Sequence, residues 1–69
     1  MLKNNLKEVR EEEGYSQLQL SYETEIAQGV ISDIELGKRF AYEGWRERIS
    51  ETLGRDKEEI FPEEYDENE

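Results

Sequence analysis

The sequence predicts an all-α domain, a compact bundle of five short helices around one small core. Apolar residues recur three and four positions apart through most of the chain, which is the spacing of one helix face. Residues that typically start and stop helices stand at the ends of these periodic stretches. Strand-like alternation of apolar and polar residues is absent from the sequence.

The first helix carries apolar residues four and three apart, at Leu2, Leu6 and Val9. We expect it to end at Gly14, because glycine readily adopts the left-handed conformation that follows many helices. Three glutamates at positions 11–13 stand in its last turn and oppose the helix dipole, so this end is expected to fray.

The second and third helices are predicted at about residues 17–23 and 28–36, joined by a turn of about four residues. Ser16 and Gln19 have the spacing of a capping box, which fixes the start of the second helix. Gly37 is expected to close the third helix. Each start also has the apolar pair of a hydrophobic staple, Tyr15 with Leu20 and Ile26 with Ile31.

The fourth helix is predicted at about residues 44–53, from apolar residues four apart at Trp45, Ile49 and Leu53. Asp56 is a candidate N-cap for a fifth, single-turn helix that Pro62 ends. Residues 63–69, EEYDENE, have nothing to bury and are expected to be disordered. The sequence therefore predicts one domain over residues 1–62 and an acidic tail over 63–69.

Composition excludes several kinds of site. The 69 residues include no Cys and no His, so disulfides, zinc fingers and His-based catalytic triads are excluded. Calcium-loop spacing is absent, and a domain this small lacks a cleft that would shift carboxylate pKa values, so no cofactor, metal or enzyme activity is expected. Without an apolar run long enough to cross a membrane, or a signal peptide, a cytoplasmic protein is expected.

The formal net charge of −10 is unevenly distributed. Residues 55–69 hold eight acidic and two basic side chains, whereas residues 27–54 hold five acidic and four basic ones. The segment that contains the third helix is therefore nearly neutral, and most of the acidity lies near the end of the chain.

Two short helices joined by a tight turn can place the second in the DNA major groove while the first spans the backbone. Four residues share the outward face at the start of the third helix: Gln28, Gly29, Ser32 and Asp33. Gln can bond adenine with two hydrogen bonds, Ser can bond several bases, and Asp can accept from cytosine, while Gly allows close approach. Ser16, Gln17, Lys38 and Arg39 flank this face and are candidate phosphate contacts.

The chain resembles the phage-repressor-like (Cro and Xre type) helix-turn-helix domains. The resemblance covers residues 4–62 and rests on LKEVREEEGYSQLQLS, ISDIELGKR and ISETLGRDKEEIFP. It implies a lambda-repressor-like fold of five helices that binds double-stranded operator DNA, usually as a two-fold dimer. It further implies base contacts from Gln28, Gly29, Ser32 and Asp33, phosphate contacts from Gln17, Lys38 and Arg39, and a partly buried structural ion pair between Arg10 and Glu35.

Three positions depart from the family pattern. Glu25 replaces the usual glycine of the turn, where a left-handed conformation costs a side chain on the order of 1 kcal/mol. Ala27 replaces the usual Ser or Thr N-cap of the third helix, a loss of roughly 1 kcal/mol. The loop FAYEG has no proline and is expected to be more mobile.

Several residues have an alternative role. Asp33 would be repelled by phosphates and equally fits a solvated surface role. Capping the third helix is the alternative role for Lys38 and Arg39. Ile60 and Phe61 fit either a homodimer face or packing beneath the first and fourth helices. Trp45 is expected to be core.

Two functions follow from these patterns. The first is a sequence-specific DNA-binding protein, a small transcriptional repressor or regulator that relies on dimerisation. The second is a protein-interaction module on the same fold, either antitoxin-like or a DNA mimic, that binds a protein partner through its acidic tail.

Overall fold

A computed structural model describes residues 3–62 and residue 65. Within them the chain forms five α-helices and no strand, which confirms the predicted all-α class. The helices are α1 (Leu6–Glu12), α2 (Gln17–Thr24), α3 (Gln28–Glu35), α4 (Glu43–Leu53) and α5 (Lys57–Ile60). The boundaries predicted for the second, third and fourth helices are confirmed to within a residue.

Helix α1 begins later than its apolar spacing predicted. Residues 3–5 are not helical, and Leu2 lies outside the described residues. The Asn4 side chain accepts a hydrogen bond from the Leu6 amide at 2.9 Å. The Asn5 amide donates to the Ile60 carbonyl at 2.8 Å, which ties this segment to α5 instead of extending the helix.

The far end of α1 is held by ion pairs, although its glutamates were expected to make it fray. Gly14 follows the helix with φ 81°, as predicted. The Arg55 guanidinium lies 3.0 Å from a Glu12 carboxylate oxygen and 2.8 Å from one of Glu13. Arg55 therefore offsets the unfavourable charge of the glutamates and links this end of α1 to the start of the last helical turn.

The capping box predicted at the start of α2 is formed. Ser16 accepts from the Gln19 amide at 3.0 Å and the Gln19 side chain accepts from the Ser16 amide at 3.0 Å, so the capping box is complete. The starts of α3 and α5 lack a side-chain cap, as expected at Ala27 but contrary to the prediction for Asp56. Neither Ala27 before α3 nor Asp56 before α5 makes a side-chain capping hydrogen bond, although both stand at the N-cap position.

The core collects one or more residues from every helix. Its fully buried members are Leu6, Leu20, Ile31, Ile34, Ala41, Ile49 and Ile60. Phe61 is also buried, so the structure supports the packing role of Ile60 and Phe61 and contradicts their use as a dimer face. Trp45 is half-buried and packs against the core from its edge.

Tyr65 corrects the expectation that residues 63–69 have nothing to bury. Its side chain is 3% exposed and its ring stacks on Phe40, with centroids 5.1 Å apart. The Tyr65 hydroxyl accepts from the Ala41 amide, and burial raises the pKa of this phenol. The domain therefore extends past Pro62 at least to Tyr65, while the rest of the predicted tail lies outside the described residues.

Arg46 is a buried cation that no motif in the sequence indicates. Its guanidinium lies 5.3 Å from the Phe40 ring centroid and 5.7 Å from that of Tyr65. It also donates to the Ala41 carbonyl at 2.9 Å. Together with Tyr65 it holds the loop between α3 and α4, which was expected to be more mobile because it lacks proline.

Candidate nucleic-acid interface

Helices α2 and α3 pack against each other and are joined by a tight turn. The turn contains two buried side chains and one residue with a strained backbone conformation. Glu25 caps α2 in the left-handed conformation, with φ 61° and ψ 30°. Ile26 and Thr24 are buried beside it, and the Thr24 hydroxyl bonds the Leu20 carbonyl at 2.7 Å. The turn therefore has the conformation that usually calls for glycine, and the glutamate adopts it at a cost.

Arg48 supports this turn in a way that the sequence does not signal. Its guanidinium donates from α4 to the Thr24 carbonyl at 2.9 Å. That carbonyl stands at the end of α2, where main-chain acceptors lack partners within the helix. No motif distinguishes Arg48 from an ordinary surface arginine, so only the fold reveals its position.

A network centred on Glu35 fixes the end of α3 to α1 and α2. Arg10 Nε donates to Glu35 Oε2 at 2.6 Å, and Arg10 also donates to the Tyr15 carbonyl at 2.7 Å. Gln17 donates its side-chain amide to Glu35 Oε1 at 2.9 Å. The Arg10–Glu35 ion pair that the resemblance implies is thus formed and joins α3 to α1, while Gln17 joins the same carboxylate to α2.

Helix α3 has a buried side and an outward side. Ile31 and Ile34 are 0% exposed. Gln28 and Gly29 are exposed at its first turn, and Ser32 and Asp33 are half-buried one turn later. The structure therefore brings together on the outer side of one helix the four residues for which base contacts were expected.

The flanking residues divide into two groups. Lys38 and Arg39 follow α3 and are exposed. Ser16 and Gln17, however, already have partners, because the Ser16 hydroxyl caps α2 and the Gln17 amide bonds Glu35. A phosphate contact from Gln17 would have to use its remaining amide hydrogen or replace the bond to Glu35.

A comparison with protein families agrees with this arrangement. The model of the helix-turn-helix domain family matches residues 4–65. The chain belongs to that family. The match ends at Tyr65, the buried residue that extends the domain beyond its predicted limit. None of the curated proteins matches the chain.

The described residues were compared with three other kinds of site: a metal site, a membrane-spanning helix and a small-molecule cavity. In residues 3–62 and 65, no three acidic, His or Cys side chains are grouped so that they could hold a metal ion. The described helices include none that is long and apolar enough to cross a bilayer. A surface cavity of about 200 Å³ lies between α4 and α5, but both of its cations are already paired with Glu43, Lys57 at 2.6 Å and Arg46 at 2.9 Å.

Proposed function

We propose that this protein binds double-stranded DNA sequence-specifically, as a small cytoplasmic transcriptional repressor or regulator that places α3 in the major groove. One observation carries the proposal. The outer side of α3 presents Gln28, Gly29 and Ser32, while its inner side is locked into the core by Ile31 and Ile34. Polar side chains on a rigid helix next to the turn are what base reading requires.

Each of the four outward residues of α3 has a defined role in this proposal. Gln28 bonds an adenine edge through its amide, and Gly29 lets the helix approach the bases closely. Ser32 donates to or accepts from a base one helical turn later. Asp33 accepts from the amino group of a cytosine and disfavours other bases at that position.

Few cations are available for the phosphate backbone, which makes dimerisation important. Lys38 and Arg39 are exposed beside α3, and each contacts a phosphate in this proposal. Two subunits on an inverted repeat, with their reading helices about 34 Å apart, double the number of such contacts. The remaining acidic groups cost little if they lie beyond the roughly 8 Å over which charges act at physiological salt.

The proposal is tested by selecting duplexes from a random pool at about 50 mM salt. We expect an enriched inverted repeat whose half-site contains the adenine read by Gln28. The variant Gln28→Ala should lose about tenfold in affinity for that site and discriminate less at that base pair. Thr52→Ala on α4, also a neutral polar residue, is the control and should bind like the parent protein.

Failure to enrich any duplex would overturn the proposal. It would favour the alternative in which the same fold binds a basic protein partner through its acidic end. A chain ending after Tyr65 separates the two, since it removes the acidic residues of segment 66–69 and keeps the buried Tyr65. If the protein binds DNA as proposed, the shortened chain should bind the operator at least as tightly as the parent chain. If the alternative holds, the shortened chain should no longer bind the protein partner.

A further inference from the structure

The nine cations of this acidic chain fall into two groups, and the larger group is used internally. Arg10 pairs with Glu35, Arg55 with Glu12, Glu13 and Glu59, and Lys57 with Glu43. Arg46 pairs with Glu43 and lies over two aromatic rings, while Arg48 bonds the Thr24 carbonyl. These five side chains are therefore committed to holding the fold together.

The second group comprises Lys3, Lys7, Lys38 and Arg39. All four are exposed. Among the described residues, no carboxylate oxygen lies within 4 Å of any of their charged nitrogens. By contrast, each cation that is paired with a carboxylate has a carboxylate oxygen within 3.0 Å of a charged nitrogen. These four residues carry the positive charge that is still available to a partner.

Lys3 is held close to the end of α3 by its neighbour. The Asn4 side-chain amide donates to the Ile34 carbonyl at 2.9 Å, and the Lys38 amide donates to the adjacent Asp33 carbonyl at 2.9 Å. Consecutive Cα atoms are about 3.8 Å apart, so Lys3 is one residue away from a group bonded to the last turn of α3, and Lys38 is itself bonded to that turn. Two lysines distant in sequence are thus both close to the end of the helix that is proposed to read DNA.

Lys7 lies on the same side of α1 as the residue that faces α3. It precedes Arg10 by three positions, and residues at that spacing are neighbours on a helix surface. Arg10 reaches Glu35 at 2.6 Å, which places this side of α1 next to the end of α3. Lys7 stands at the solvent-exposed margin of that side.

We propose that Lys3 and Lys7 bind the DNA backbone together with Lys38 and Arg39, so that α1 adds a second set of phosphate contacts beside α3. The inference rests on the proposed DNA-binding function and names part of its contact surface. Its physical basis is that a cation attracts phosphates more strongly when no carboxylate already neutralises its charge. In a chain of net charge −10, these four residues form such a place.

Acidic groups near this surface limit how strongly it can bind. Glu11 follows Lys7 by four residues on α1, and its carboxylate lies 3.9 Å from the Arg10 guanidinium. Asp33 stands on α3 beside Lys38. These carboxylates lower the positive potential around the lysines, so in this proposal each lysine contributes a single phosphate contact.

The test measures how the binding constant for the selected operator depends on salt concentration. The double variant Lys3→Gln/Lys7→Gln should lower the steepness of that dependence by up to about two per bound subunit, because each lost phosphate contact removes about 0.9. Binding to the operator and to a mixed-sequence duplex should weaken in the same proportion, since phosphate contacts do not distinguish sequences. The thermal midpoint should stay that of the parent, because neither lysine pairs with a carboxylate of residues 3–62 or 65.

A matched control is Lys57→Gln, which removes the same kind of charge from a lysine that is paired with Glu43. It should leave the salt dependence unchanged. Equal salt dependence for the double variant, the control and the parent would overturn this inference while leaving the proposed function intact. A parent protein that binds no duplex at 50 mM salt would overturn the proposed function, and the inference with it.

Discussion

Arg10 on α1 and Glu35 on α3 form a charged pair that water barely reaches. Arg10 Nε lies 2.6 Å from Glu35 Oε2, and the two side chains are 8% and 4% exposed. Gln17 bonds the other carboxylate oxygen at 2.9 Å, so three helices meet at one group. A pair in such a position stabilises the fold only as long as both partners are present.

Removing one partner of this pair should destabilise the protein severely. Glu35→Ala leaves the Arg10 guanidinium buried without its counter-charge, which typically costs about 3–5 kcal/mol. Since small domains have a free energy of unfolding near 5 kcal/mol, we expect the variant to be largely unfolded at room temperature. Urea denaturation followed by circular dichroism measures the effect.

The double variant Arg10→Met/Glu35→Leu provides the control for that prediction. It replaces both charges by apolar side chains of similar size, and such replacements are often neutral. It should recover most of the lost stability. A double variant as unstable as Glu35→Ala would show that the packing of these two side chains matters more than their charges.

Glu25 at the end of α2 offers a route to a more stable protein. Its φ of 61° is strained for any residue with a Cβ atom, and its negative charge opposes the dipole at the end of the helix. Glu25→Gly should raise the free energy of unfolding by roughly 0.5–1 kcal/mol after the greater flexibility of glycine in the unfolded chain is subtracted. In a domain of this size the thermal midpoint should rise by about 2–8 °C.

Glu25→Ala separates strain from charge at this position. Alanine removes the carboxylate but keeps the Cβ atom, so the left-handed conformation remains unfavourable. We expect Glu25→Ala to be clearly less stable than Glu25→Gly. Equal thermal midpoints for the two variants would mean that charge, and not backbone conformation, determines the effect.

The elements that the sequence predicted well are those with a local cause. The capping box of Ser16 and Gln19 depends on residues three apart, and it is present in the structure. The left-handed conformation of Glu25 was expected from the resemblance, because the similar domains usually have glycine at this position of the turn. The outward position of Gln28 follows from helix periodicity once Ile31 and Ile34 are assigned to the core.

The features that the sequence did not predict depend on contacts between distant residues. Tyr65 lies within an acidic run, so nothing nearby indicates that its ring stacks on Phe40. Arg46 resembles any helix-surface arginine until those two rings come together beneath it. The Gln17 side chain looks free to reach phosphate until the fold brings Glu35 within 2.9 Å.

Tyr65 should be necessary for stability although it lies beyond the predicted end of the domain. A chain ending at Pro62 loses this ring, whose burial and contacts with Phe40 and Arg46 are comparable to those of a core aromatic. We expect a loss of about 3–5 kcal/mol in the free energy of unfolding, the range found when large core side chains are truncated. A chain ending after Tyr65 should keep the parent stability.

Tyr65→Ala in the full-length chain controls for the acidic residues that truncation removes. It should be about as destabilised as the chain ending at Pro62, because it loses the same buried ring. All acidic side chains remain in this variant, so a change in charge cannot cause the loss. If Tyr65→Ala matched the parent instead, the effect of truncation would have to come from charge. Thermal melts monitored by circular dichroism distinguish these outcomes.

Glu43 on α4 should make stability depend on pH in the acidic range. The hydrogen bond from the Lys57 ammonium, with a second from Arg46, lowers the pKa of this carboxyl from 4.5 to about 2. A group whose pKa is depressed by folding stabilises the native state above its unfolded pKa, here about pH 4.5. That contribution is lost progressively as the pH falls from 4.5 towards 2, when the carboxylate is protonated and the pair with Lys57 is broken.

Urea titrations between pH 6 and pH 2 on the parent and on Glu43→Gln measure this contribution, since the difference between the two proteins isolates one carboxyl from the many others in the chain. The difference in the free energy of unfolding should be constant near neutral pH and shrink below pH 4.5. It should also be smaller at high salt, because Glu43 is exposed and its ion pair is screened. A difference that stayed constant down to pH 2 would show that Lys57 does not hold the carboxylate in its charged form.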